Sequence, residues 1–178
     1  NTRDIRSYKT LNKLKFIEFP KLGFQELKKI KKKIFKLKGC ILLIDYGYYR
    51  PNNQNTLQSI MKHKKNELLS NLGKADITAH VNFKLLGEFF LKNNLKIKNL
   101  LSQKEFLENM GIMERAKILS KKMKFSEQSD LYLRMQRLLS PRYMGELFKV
   151  ILAYKFDRDN FAGFKSCFIR KNLKNLNK

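Results

Sequence analysis

The ten residues Gly39-Cys40-Ile41-Leu42-Leu43-Ile44-Asp45-Tyr46-Gly47-Tyr48 hold five consecutive apolar side chains, opened by a glycine and closed by an aspartate. Five residues suit a strand and are too few for a helix. The run does not alternate, so the spacing predicts an interior strand of an α/β sheet, covered on both faces. Upstream, Leu27, Ile30, Ile34 and Leu37 recur at helical spacing among lysines, which predicts an amphipathic helix over Gln25 to Leu37 with Gly39 as its C-terminal cap. Helix, glycine, buried strand and polar turn make half of a βαβ unit. Ligands of such sheets bind just beyond the carboxyl ends of the strands, so Asp45 to Tyr48 is the first candidate site. The other reading of these four residues is an ordinary turn, with Asp45 accepting backbone N–H bonds and Gly47 supplying conformational freedom.

Working outward, Thr56 to Met61 reads as a short strand, and a polar connection leads on to Gly73. Ala75 to Val81 reads as another strand, placing Asp76, Thr78 and His80 on one face. His80 is an acid, base or hydrogen-bond donor near neutral pH, or a structural histidine. Asn82 caps a helix carrying Phe83, Leu86 and Phe90. Leu95 to Leu101 reads as a strand. Three helices follow, through Phe106 to Met110, Ile112 to Met123 and Asp130 to Leu139, and then a strand over Leu147 to Tyr154. Lys149 interrupts that last strand and is read as snorkelling from a sheet edge. The tail 165–178 is basic.

The chain has 178 residues, 43% of them apolar and 12% aromatic, which is a globular composition and one domain's worth of material. No run approaches the ~20 apolar residues that span a bilayer, and residues 1–22 lack the apolar core of a signal peptide. An asparagine at position 1 suggests that residues upstream are missing. Cys40 and Cys167 have no partner at metal-ligand spacing, so no metal site or disulfide framework is expected, and Cys40 reads as a small buried hydrophobe. Thirty-nine Lys and Arg against fifteen Asp and Glu give a net charge of +24. That charge alone would attract polyanions such as RNA. The lysines are spread along the whole chain beside abundant asparagine, however, and those of Lys28 to Lys38 occupy the solvated side of a helix, so a dedicated nucleic-acid site is not expected. No glycine-rich phosphate loop, GxxxxGK[ST] or GxSxG motif occurs.

Five segments in order resemble the C-terminal half of the MidA family of class I S-adenosylmethionine-dependent methyltransferases. They are GCILLIDYGY (39–48), Thr56-Leu57-Gln58 with His63, ADITAHVNF (75–83), Gln103 with Phe106-Leu107, Gly111-Ile112 and Arg115, and MGELFKV (144–150). The third is similar to the family's D-[IL]-T-A-H-V-D-F, with Asn82 where the family has Asp. Asn55 and Leu72 also depart from the usual Gly and Pro. The resemblance covers roughly residues 23 to 155. It implies the C-terminal part of a Rossmann-like sheet, with residues 40–44 as the fifth strand, 95–101 the sixth and 147–154 an antiparallel seventh. Residues 56–81 would be a β-rich insertion and 103–140 a helical one, all in a single partial domain. It also implies S-adenosylmethionine as cofactor, bound by a part of the enzyme not in this chain, and symmetric dimethylation of a protein arginine in a respiratory complex I subunit. Asp45 and His80 take the catalytic roles in that reading, and Tyr46, Gly47, Tyr48, Asp76 and Thr78 line the substrate. The expected setting is the bacterial cytoplasm or the mitochondrial matrix, and a homodimer stays open. A basic RNA-binding α/β module without catalysis is the alternative.

Overall fold

A computed structural model describes residues 2–51, 53–156 and 160–164. The basic tail and Cys167 lie outside the described residues. In chain order the elements are helix α1 (Thr2–Arg6), a 3-10 turn (Lys9–Leu11), α2 (Lys21–Leu37), β1 (Cys40–Tyr48), β2 (Gln58–Met61), β3 (Lys64–Asn66), β4 (Asp76–Thr78) and β5 (Val81–Asn82). Then follow α3 (Phe83–Lys92), β6 (Lys96–Ile97), β7 (Leu101–Ser102), α4 (Gln103–Asn109), α5 (Ile112–Ser120), α6 (Phe125–Leu139), α7 (Met144–Leu147) and β8 (Phe148–Tyr154).

The main sheet runs β5-β1-β8-β6, with β7 also on β8. β1 and β8 are antiparallel in unbroken register from Cys40↔Tyr154 to Tyr46↔Phe148, as expected of a fifth and seventh strand. The expected strand 95–101 is split. Lys96 pairs Tyr154 but Leu101 pairs Val150, so the register slips by one residue between β6 and β7, the mark of a bulge. A separate antiparallel sheet, β3-β2-β4, fills the region read as a β-rich insertion. β3 was not anticipated: lysine-rich Lys64-Lys65 has no apolar alternation, and the turn before it uses Lys62 and His63, both at positive φ, where Asn-Gly is the usual signal.

Each face of the sheet carries a core. Ile41 and Leu43 of β1 and Ile151 and Ala153 of β8 pack against α2 and α3, through Phe24, Ile34, Leu86 and Phe89. The Phe24 and Phe89 rings stack at 4.2 Å. The N-terminal segment joins this core through Tyr8 and Leu11. Glu88 of α3 holds it there, accepting the N–H groups of Lys9 at 2.7 Å and Thr10 at 3.0 Å. Burial pushes the Glu88 carboxyl up, but those two bonds and Lys92 together carry it below its ordinary value. On the other face Val150, Leu152 and Tyr154 pack under Phe106 of α4 and Phe164.

Several expectations need correction. Among the described residues β1 is not covered on both faces: Leu42 and Ile44 are 45% and 46% exposed, and the core around Phe106 and Phe164 is built on β8 side chains. Cys40, read as buried, is exposed on the same strip. Lys149 does not snorkel from a sheet edge, since β8 is interior; its half-buried amine bonds the Glu146 carbonyl and lies 3.5 Å from the Glu146 carboxylate. The left-handed residue ending α2 is Lys38 (φ 54°), not Gly39. α2 and α6 start earlier than their apolar spacing predicts, at Lys21 and Phe125. Lys124 takes the N-cap position of α6, and its N–H is accepted by Glu127 at 2.7 Å, although lysine is no usual cap residue.

Two glycines are fixed by close backbone approach. A Cβ on Gly47 would lie 2.1 Å from the Val81 carbonyl oxygen, and one on Gly145 would lie 2.1 Å from the Leu139 carbonyl oxygen. No rotamer relieves an overlap with backbone, so Gly47→Ala and Gly145→Ala should each cost about 3 kcal/mol in denaturant unfolding. Gly39→Ala, with nothing within 4 Å, should be neutral or slightly stabilising. Equal effects at all three positions would contradict this packing.

Candidate functional site

The site assembles at the carboxyl end of β1. Residues alternate across a strand, so Tyr46 leaves the face that also bears Leu42 and Ile44, while Asp45 leaves the opposite one. Asp45 is exposed, and one of its oxygens accepts its neighbour's N–H, Tyr46 N, at 2.8 Å. Tyr46 lies edge-on to two rings, His80 at 5.4 Å and Phe148 at 5.7 Å. This contact ties the end of β1 to the peptide that leads from the small sheet back into the main one. Tyr48 is the register partner of Asn82 on β5. Burial pushes the Tyr48 phenol above its ordinary value and the Glu18 carboxylate pushes the same way, while a hydrogen bond with the Asn82 side chain pulls it back.

Asn82 is buried and accepts Leu85 N at 3.0 Å, capping α3 as its sequence position implied. Gly47 is buried beneath Val81 and serves the close approach of β5. Asp76 and Thr78 stay in the three-stranded sheet, opposite Ile60 and Gln58. His80 lies between strands, and its N–H is accepted by Thr56 Oγ1 at 2.9 Å. The structure therefore brings Tyr46, Tyr48 and His80 to one strand end, with Asp45 on the other face of that end.

Two participants were missed in the sequence. Glu18 sits in a weakly patterned segment, yet its carboxylate accepts Thr56 N at 2.9 Å and Thr56 Oγ1 at 2.7 Å. Phe148 falls in the strand 147–154 and in the MGELFKV segment, where nothing local marks it as a partner of Tyr46. Nothing local marks Glu18, since its partner lies 38 residues away. A groove of about 970 Å³ lies elsewhere: Lys149 and Ile151 place it on the α3 face of the sheet, with Glu88, Ser102 and Glu146 also in its walls. Among the described residues no His, Cys, Asp or Glu cluster could hold a metal, and no helix is long and apolar enough to cross a membrane.

Comparison with known proteins gives these features a context. Residues 4–101 match the family described as "Putative S-adenosyl-L-methionine-dependent methyltransferase". Protein arginine methyltransferase NDUFAF7, mitochondrial, from Xenopus tropicalis is 32% identical over 124 residues, which is 69% of this chain and 28% of that protein. The Homo sapiens protein of the same name is 32% identical over 111 residues, 62% of this chain and 25% of that protein. A Burkholderia thailandensis crystal structure bound to S-adenosyl-homocysteine superposes with a TM-score of 0.57 at 29% identity, covering 72% of this chain and 33% of that one. A second native structure from that organism gives 0.62 at 28% identity, over 71% and 36%. The chain thus spans about a quarter of the length of the curated relatives it matches.

Because burial raises the Tyr48 pKa in the folded state, the neutral phenol contributes stability that is complete below the usual value of 10.0 and lost as pH rises through the folded value. Thermal stability of the wild type should therefore fall more steeply above pH 10 than that of Tyr48→Phe. Parallel curves would contradict the placement of Tyr48.

Proposed function

Since the chain belongs to the MidA family of S-adenosyl-L-methionine-dependent methyltransferases, we propose that it forms the substrate-side part of such an enzyme and acts on an arginine of a protein. The observation that supports this reading is the junction of Tyr46 with His80 at the carboxyl end of β1, where open α/β sheets hold their ligands. A guanidinium is a poor nucleophile, being delocalised and protonated to above pH 12. It needs a carboxylate to localise its charge and accept its hydrogen bonds, and its nitrogen must be held about 3–3.5 Å from the methyl carbon. Asp45 supplies that carboxylate from the face of the strand end opposite Tyr46 and His80, so the acceptor reaches across the tip of β1 to meet both. Tyr46 and Tyr48 flank it, and Asp76 and Thr78 close from the small sheet. His80 takes up the proton that the acceptor nitrogen sheds.

The cofactor, when bound, supplies an electrophilic methyl on sulfur. The described residues do not form its cradle: the end of β1 opens into no glycine-rich turn, because Gly47 lies within the strand and is closed over by Val81. The cofactor is held mainly by a part of the enzyme outside these residues, and the chain is inactive by itself. The exposed strip of Leu42 and Ile44 and the outer edge of β1 are where that part adds to the sheet. The relatives are named as mitochondrial, which supports a mitochondrial setting; in this reading the matrix is the compartment and a respiratory complex I subunit the substrate.

The test grafts residues 23–155 in place of the matching segment of the Xenopus relative and follows arginine dimethylation by mass spectrometry. The isolated chain should bind no S-adenosyl-homocysteine by calorimetry, and the graft should methylate. Asp45→Asn or His80→Ala in the graft should abolish transfer and leave cofactor binding intact. Tight cofactor binding by the isolated chain, or unchanged turnover in both variants, would overturn the proposal.

A further inference from the structure

His80 occupies a gap. β4 ends at Thr78 and β5 begins at Val81, so Ala79 and His80 lie outside either ladder. A backbone N–H in such a place needs another acceptor, and here it is the Thr56 hydroxyl, at 2.9 Å. The same hydroxyl donates to Glu18 at 2.7 Å, and the other Glu18 oxygen accepts Thr56 N at 2.9 Å. The Thr56 hydroxyl thus has its proton committed to the carboxylate and its lone pair turned to His80. An ionised acceptor makes the first bond a strong one and polarises the second. Three segments distant in sequence meet in this chain of bonds.

We infer that Glu18 and Thr56 are positioning residues, forming a carboxylate–hydroxyl–amide relay that holds the His80 peptide so that its imidazole stays edge-on to Tyr46. The inference rests on the proposed role of His80, but the relay is a geometric statement that can be tested without turnover. Neither residue touches the substrate in this arrangement. Each acts through His80. The threonine methyl is dispensable to it, and the hydroxyl is not.

The test reads the ring protons of His80 and Tyr46 by NMR on the 178-residue chain, where each ring lies in the other's ring-current field. Thr56→Val keeps the shape and removes both side-chain bonds. The mutual ring-current shifts should collapse in this variant, with the core methyl spectrum unchanged, and Thr56→Ser should restore them. Glu18→Gln, which retains one acceptor oxygen, should reduce them in part and serves as the second variant should Thr56→Val fail to fold. Unchanged ring shifts in whichever of these two variants folds, or failure of the serine to restore them, would overturn the relay. A parent graft that fails to methylate, while the ring shifts of the variants change as stated, would instead count against the proposed function alone.

Discussion

The seven-residue antiparallel ladder between β1 and β8 is what the rest of the molecule hangs on. It pairs a strand that is buried on both faces with one that is buried on one face only. β8 is shielded by the helices α2 and α3 on one side and by α4 and Phe164 on the other. Among the described residues β1 shares the first cover and lacks the second. The ladder brings Phe148 opposite Tyr46 and carries the end of β1 to the start of β8, so the candidate site is fixed by backbone pairing before any side chain chooses a rotamer. β5 then docks on Gly47 and Tyr48, and the missing Cβ at residue 47 sets how close it comes.

Much of this was legible in the residues. Cys40 to Ile44 reads as a strand because five apolar residues bounded by glycine and aspartate leave little alternative, and Asn82 reads as a cap because a short polar side chain precedes an apolar helical repeat. The tyrosine-bearing end of β1 could be found by the rule that ligands lie at strand ends. What could not be read was long-range. Glu18 gains meaning only by meeting Thr56, and Phe148 only by meeting Tyr46. The exposure of Leu42 and Ile44 was hidden for a different reason: apolar run length reports what a strand is built to contact, not what covers it in this chain.

That mismatch gives the account its functional content. A strand patterned for burial on both faces that, among the described residues, is open on one face and along one edge fits the proposal that it joins a larger sheet. The family match and the partial coverage of the mitochondrial relatives and of both Burkholderia structures support that proposal. The high positive charge needs no separate role in this view, since α2 turns its lysines away from the core that Phe24 and Ile34 occupy.

Amide hydrogen exchange along β1, residue by residue, puts this account under the greatest strain. In the isolated chain, protection from Cys40 to Tyr46 should alternate with a period of two, slow where the N–H faces β8 and fast where it faces the open edge. In the grafted enzyme the fast set should become slow. Uniform protection of β1 in the isolated chain, or a fast set that stays fast after grafting, would contradict the claim that this edge completes a methyltransferase sheet.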